Sequence, residues 1–468
     1  MGVTNWLDQH PDTTRQPEGM SDAVGDLLEG FTEDELDVDK QISNFEEIIE
    51  QSDPTLLLEK VSIGMIISTY ISSIDVSDDG IGIGPSLTEY MIGKIISHDK
   101  YGDSDTSYKD LARAAAKIQQ AYLMSDMAGG DPESLSEEEM NDLYLSFSLK
   151  QRELSSSRFL YDKQITEAAR RAYTPHEEQL KTTVGFSIDH AIYFTKNLGE
   201  ILSEVYNEYL LPRIDFSLED AVSGTDFIES QISVFEESGE LDKPLSWTKL
   251  SRDSDIIDHV HSELSKYQHA LWLSFEFLNK HMPDKYESKI FESYLSRLSY
   301  DITNESSDFR YIEDFNPIHR TPITQSEHGY LVPHLPALRY ALYDTFYYDL
   351  LNLEGYGNPD GSSGGEFGNK WGNYVEEWTH DSLRNAFDDS KIYVNPYYKT
   401  DNGSWEEAAD AIVTHRGYLL VFECKSKKLV LSSRGGSESS TIDDLDTGIG
   451  EATKQATSIL STIKRGKI

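Results

Sequence analysis

Two short apolar runs near the C-terminus, Ala408–Thr414 and Tyr418–Cys424, constrain this chain more than any other stretch. They flank Arg416-Gly417, and runs of this length around a glycine-containing turn predict a β-hairpin. Three charges break the apolar pattern: Asp410 on the first run, then Glu423 and Lys425 at the end of the second. A turn of two or four residues sets position 410 opposite position 423, where side chains on one face lie about 5 Å apart. Lys425, two places further on, projects from the same face as Glu423, and Cys424 from the opposite one. Cys424 therefore reads as a buried structural thiol.

Two carboxylates held that close on apolar strands repel each other and resist desolvation. A hard divalent cation such as Mg²⁺ relieves both, taking carboxylate oxygens and waters as ligands. A lysine beside it can orient or activate a water and offset charge on a phosphate. Asp410 followed by Glu423-Cys424-Lys425 resembles the D…(D/E)xK signature of the PD-(D/E)xK, or restriction-endonuclease-like, nuclease superfamily, with Ala409 where many members have proline. Pro283-Asp284 and Glu287-Ser288-Lys289 match the same letters. Only two residues separate those acids, too few for a hairpin, in surroundings that read as helix. That match is set aside.

The segment Glu354–Gly365 (EGYGNPDGSSGG) reads as a linker and as the main domain boundary. After it, Phe367–Ala386 has the apolar stripe of an amphipathic helix in Phe367, Trp371, Tyr374, Val375, Trp378 and Leu383. It resembles the first helix of the superfamily core, which often carries a metal-site glutamate directly after an aromatic residue. Gly372 follows Trp371 here, which leaves Glu376, one turn on, or Glu377 as the substitute, or no third carboxylate at all. Lys391–Lys399 reads as the first core strand, Lys428–Gly448 as a loop and Gly450–Ile463 as a helix. On that helix Lys454 and Gln455 resemble polar residues that RecB-like members use beside the site, with Ile459 where their pattern has tyrosine. The superfamily core usually has one more strand, for which little sequence remains.

The resemblance covers residues 366–468, reaching back to 316 if the preceding hairpin and helix dock on the same core. It implies a restriction-endonuclease-like α/β/α core with a mixed sheet, and Mg²⁺- or Mn²⁺-dependent hydrolysis of phosphodiester bonds. Asp410, Glu423 and Glu376 would then hold the metal, Lys425 would assist the water and the phosphate, and Gln455 would position substrate or site. It favours DNA over RNA as the nucleic-acid substrate, and a role in defence against foreign DNA. Two alternatives stay open: a scaffold of the same fold that binds nucleic acid or a partner without cutting, and an RNase.

Upstream, residues 1–40 are polar and acidic and read as a flexible arm. Residues 41–315 read as a large, mainly helical module, so that the whole chain is α plus α/β. Thr106–Met124, Ser134–Leu154, Arg158–Tyr173, Val184–Leu211 and Ser254–Asn279 carry apolar residues at helical spacing. Asp131-Pro132 before Ser134-Leu-Ser-Glu137 reads as a capped helix start. Residues 316–353 read as a small hairpin turning at Ser326–Gly329 and then a helix, Leu338–Leu353, in which Tyr340–Leu351 sits at core spacing. Gly80–Pro85 reads as a turn before a helix, since no Walker lysine follows. His259 and His261, with Asp255 and Asp258, read as a solvated helix face, not a metal site. The helical module is the expected surface for a protein partner, and no oligomeric state is encoded legibly.

Charge bears on all of this. The formal charge is −42, whereas nucleic-acid-binding domains are ordinarily basic. Residues 366–468 nevertheless carry 13 Lys and Arg against 16 Asp and Glu, while residues 1–365 carry 28 against 67. The excess therefore lies upstream, and the overall composition resembles that of halophilic archaeal proteins. At molar salt the Debye length falls to about 3 Å, so an acidic surface scarcely repels DNA, and counterion release drives binding less. A single cysteine excludes an intrachain disulfide framework and fits a reducing interior. The most apolar run, Val61–Ile74, is short and laced with Ser, Thr and Gly, so no membrane span is expected. No signal peptide is read, and a cytoplasmic location is the expectation.

Overall fold

The computed structural model describes residues 32–70, 74–75, 82–83, 85–125, 162–210, 255–267, 271–283, 286–302, 309–312, 314–357, 365–387, 391–400, 402–426 and 443–464. The expected helix at 134–154 with its capped start, most of the 1–40 arm, half of the 80–85 turn and most of the 428–448 loop lie outside them.

The first core is built by helices α1 (Val38–Gln51), α2 (Pro54–Tyr70), α3 (Pro85–Ser97), α4 (Tyr108–Met124) and, from further along the chain, α8 (Asp255–Leu264). Ile42, Phe45, Ile49, Leu58, Val61 and Met91 fill it. Helix starts follow local chemistry: Asp37 accepts from the Lys40 N–H, and Ser107 from the Asp110 N–H. Helix α8 departs from the solvated face expected for it. His261 is buried with Nε2 2.5 Å from Glu59 Oε2, and Asp258 lies 2.7 Å from the buried Lys60 ammonium, which Asp105 also approaches at 2.6 Å. His261 is buried and Asp258 half-buried because each finds a polar partner on α2; the side chains of Asp255 and His259 lie outside the described residues.

The second core joins α5 (Asp162–Tyr173), α6 (Glu177–Val184), α7 (Ile188–Val205), α9 (Phe275–His281), α10 (Ser288–Leu298), α11 (Leu335–Leu351) and the first half of α12 (Glu366–Ala386). The helix expected from Val184 begins at Ile188 instead, because Gly185 takes φ +84 to close α6 and Ser187 caps α7. The helix expected over Ser254–Asn279 is two helices; Ser274 Oγ accepts from the Phe277 N–H at 3.2 Å and starts the second. Three short strands complete this part. β1 (Ser299–Asp301) runs parallel to β2 (Ile323–Ser326), which turns through Glu327-His328 into antiparallel β3 (Gly329–Leu331). Tyr347 meets Phe367 at 5.2 Å and Trp371 at 4.9 Å between ring centroids, so the Gly/Ser-rich segment joins two helices that share one aromatic core.

The C-terminal layer is a three-stranded sheet between two helices. β4 (Ile392–Val394), β7 (Ala411–His415) and β8 (Tyr418–Phe422) pair in the order β8-β7-β4. Leu383 and Phe387, at and just after the end of α12, cover Ala411, Val413 and Phe422 on one face. On the other, Ile459 and Ile463 of α13 (Glu451–Lys464) pack with Ile412 and Val421. The mixed sheet expected here is antiparallel throughout among the described residues. A hairpin needs only two linking residues, whereas a parallel neighbour needs a long crossover. The one mixed sheet among the described residues is the upstream β1-β2-β3 sheet. The strand expected over Lys391–Lys399 breaks at Asn395-Pro396: Asn395 takes φ +44 and Pro396 has no N–H. Beyond the break, β5 (Tyr397–Lys399) folds into a separate antiparallel ribbon with β6 (Trp405–Glu407). The architecture is thus mainly helical with small sheets, of the α+β class, and no described helix is long and apolar enough to cross a membrane.

Candidate active site

The hairpin pairs His415 with Tyr418 and Ala411 with Phe422. Arg416 and Gly417 form its two-residue turn at φ +49 and +84, the pair of left-handed conformations of a type I′ turn. Continued by one step, this register sets Asp410 opposite Glu423. The ladder itself stops there, however. The Cys424 N–H donates to Asp410 Oδ2, so a side chain closes the open end of the hairpin where a backbone carbonyl would otherwise stand.

The Asp410 backbone is held from two further elements. Its carbonyl accepts from His380 Nε2 of α12 at 3.1 Å and from the Asn395 N–H at 3.0 Å. The same Asn395-Pro396 break that ends β4 thereby delivers a donor to Asp410. His380 was not singled out from the sequence; its spacing of one turn after Glu376 is the signal that could have found it.

Glu376, half-buried on α12, has its carboxyl raised above the ordinary range, first by burial and then by the negative charges of Asp410 and Glu407. His380 acts in the opposite direction. Glu423 is raised likewise, by burial and then by Asp410, with Lys425 offsetting part of the effect. Asp410, Glu376 and Glu423 therefore share one electrostatic field. Glu377, the other substitute considered for the third carboxylate, is exposed. Glu407, at the end of β6, enters the field of both glutamates and was missed in the sequence, where it is one of many acids beside an apolar run.

Lys425 is exposed, and its Nζ lies 2.5 Å from Gln455 Oε1 on α13. Two residues that the same resemblance singled out in the sequence thus meet across the layer. Lys454, beside Gln455, is exposed. Trp371 anchors the segment after the strand by donating from Nε1 to the Ser426 carbonyl at 3.1 Å. Gly372, which follows Trp371, faces that same segment: a Cβ there would lie 3.7 Å from Ser426 Oγ.

Cys424 corrects an expectation. It is half-buried, and its thiol is raised mainly by burial, with the Thr379 hydroxyl acting against it and Asp410 and Glu376 adding to it. The thiol thus lies on the side of the carboxylates, because β8 ends at Phe422 and strict alternation ends with it. A raised thiol is a poor nucleophile. The rejected match near Glu287 also falls differently from the helix expected around it: Glu287 is the residue preceding α10, between helices α9 and α10.

Among the described residues, no three His, Cys, Asp or Glu side chains converge as a ready-made metal cage. Mg²⁺ usually takes only one or two carboxylates and keeps several waters. An all-oxygen pair, Asp410 and Glu423, with a third carboxylate, Glu376, raised by burial and then by Asp410, has the donor chemistry such a hard cation requires. No family model matches the chain, and no curated protein or solved structure is significantly similar to it.

Proposed function

We propose that the C-terminal layer is a metal-dependent nuclease centre that hydrolyses phosphodiester bonds, with DNA as its substrate. The observation that carries this reading is that Asp410 raises the carboxyls of both Glu376 and Glu423, with Lys425 acting on Glu423 and held by Gln455. Asp410 and Glu423 would hold Mg²⁺ or Mn²⁺, with Glu376 beside them. Such a cation, when bound, polarises the phosphate and lowers the pKa of a water. Lys425 donates a hydrogen bond to the attacking water or to a phosphate oxygen as charge develops there. Gln455 fixes the ammonium, and His380 with Asn395 fixes the Asp410 backbone. A nearly neutral domain on an acidic chain fits DNA binding at high salt better than at low salt.

The test is a cleavage assay in low and molar KCl with plasmid, linear and single-stranded DNA and structured RNA, in Mg²⁺, Mn²⁺ or EDTA. Metal-dependent cutting should fall on the order of 100-fold or more in Lys425→Ala and vanish in Asp410→Ala. Calorimetry should show that Asp410→Ala also loses metal binding. Cutting that survives both substitutions would remove these residues from the mechanism, and cutting of RNA alone would move the substrate.

A second reading rests on Asp410 itself. One of its oxygens is already engaged by the Cys424 N–H, as in a purely structural hairpin clamp. The layer would then be a scaffold that binds nucleic acid or a partner without cutting. Wild-type protein that binds no metal but retains DNA would establish it.

A further inference from the structure

Helices α5, α7 and α11 line an open-mouthed cavity of about 630 Å³, with none of the carboxylate cluster in its lining. That volume lies in the range of small-molecule sites. Its floor is apolar, made by Ile165, Ile192 and Leu342, all buried. Gly199 lines it too, and a Cβ there would meet only Leu335, at an ordinary 3.6 Å. Packing therefore does not require glycine at this position; its missing side chain leaves open volume.

The rim has the opposite sign to the chain around it. Lys163, Arg170, Lys196 and Arg339 line the cavity against two carboxylates, Glu167 and Glu200. This is a local excess of two positive charges in a stretch, residues 1–365, that carries 28 cations against 67 acids. The two acids are paired, and so are the cations Lys196 and Arg170. Glu167 pairs with Arg171 at 3.1 Å and Glu200 with Lys196 at 3.7 Å, while Arg170 reaches Asp189 at 3.0 Å. All of these pairs are exposed and weak enough to be exchanged for a ligand.

We propose that this cavity binds a phosphate ester with an apolar or aromatic body, of the size and class of a nucleoside phosphate. A phosphate monoester carries a charge of roughly −1.5 to −2 at neutral pH, which matches the rim excess, whereas a carboxylate amphiphile carries half of it. Two arginines offer the planar fork that binds phosphate oxygens in pairs. The apolar floor takes the rest of the molecule, with the Thr166 and Ser203 hydroxyls at hand for its polar edge.

Binding is measured without nucleic acid and in EDTA, so that a failure here and a failure of the nuclease reading remain distinct. Calorimetry and thermal shift would use AMP, ATP, inorganic phosphate and decanoate, in low and molar KCl. AMP or ATP should bind saturably and raise Tm. Lys163→Glu and Lys196→Glu, both exposed, should each weaken that binding roughly tenfold. Gly199→Leu should abolish it while circular dichroism stays unchanged; if that variant misfolds, the two charge reversals carry the test. The proposal is overturned if neither nucleotide binds, or if binding is indifferent to both charge reversals. Decanoate binding as tightly as AMP would make the cavity a generic apolar site and overturn the phosphate. Inorganic phosphate binding as tightly as AMP would overturn the organic body.

Discussion

The two ends of α12 sit in different surroundings. Its first half is sunk in the second core, where Phe367, Trp371 and Tyr374 pack among Tyr173, Tyr343 and Tyr347. Its second half covers a sheet whose buried residues on that face are only Ala411 and Val413 beneath Leu383. The sheet leaves much apolar area uncovered: Tyr418 is 73% exposed and Tyr393 50%. A helix held rigidly at one end presents Glu376 and His380 to a thin layer at the other. The layer's carboxylates are thus positioned by a core to which the layer itself contributes little. That division lets mutual repulsion among Asp410, Glu376 and Glu423 persist, because its cost is borne by stability elsewhere.

The largest expected effect tests the rigid end. Trp371→Ala removes a buried indole and its hydrogen bond to Ser426, and should lower unfolding stability by about 3–5 kcal/mol in a denaturant titration. Leu383→Ala, at the thin end, should cost near the low end of the ~2–5 kcal/mol range for such truncations. Equal losses would break the comparison.

Acid should find the same rigid core. His176, buried between Phe367 and Tyr356, accepts or donates at Nδ1 with the Tyr356 hydroxyl, and its pKa is pushed down to about 4, chiefly by burial and then by Lys370. The unfolded histidine takes up a proton near 6.5 while the folded one does not. Its contribution is therefore complete above 6.5 and is lost as pH falls toward 4, on the order of 3 kcal/mol across that window. His176→Phe should flatten the stability profile there relative to wild type; an unchanged slope would place the acid sensitivity in the carboxylates instead.

Smaller effects belong to the thin layer. Gly417→Ala forces a Cβ into φ +84 with no neighbour within 4 Å, so backbone strain alone should cost about 1 kcal/mol. Lys425→Ala removes an exposed side chain and should change stability by less than ~0.5 kcal/mol. Its loss of cutting would then be chemical. A large destabilisation would instead make the Lys425–Gln455 contact a structural tie.

Much of the candidate site was legible in the sequence. The hairpin register and the Arg416-Gly417 turn follow from a local apolar pattern, whereas the contact of Lys425 with Gln455 joins two elements whose packing no local pattern fixes. Less legible was the end of each strand. Asp410 and Glu423 lie one step beyond the ladder, where alternation no longer assigns faces, and Cys424 therefore turned toward the carboxylates. The strand over 391–399 was read as continuous because one Asn-Pro step weighs little against a run of Ile, Tyr and Val.

By itself the sequence determined what is local: turn chemistry at Arg416-Gly417, caps at Ser107, Ser187 and Ser274, and the register of the hairpin from His415 and Tyr418 to Ala411 and Phe422, since φ preferences and the two-residue period act over a few residues. Only the tertiary structure decided that Glu376 shares a field with Asp410 and that His380 and Asn395 hold the Asp410 carbonyl. It alone decided, too, that α11 and α12 share one aromatic core across a Gly/Ser-rich segment, and that the four cations of α5, α7 and α11 ring one cavity. Those relations join residues far apart in the chain, and burial with charge pairing selects them only when whole elements pack.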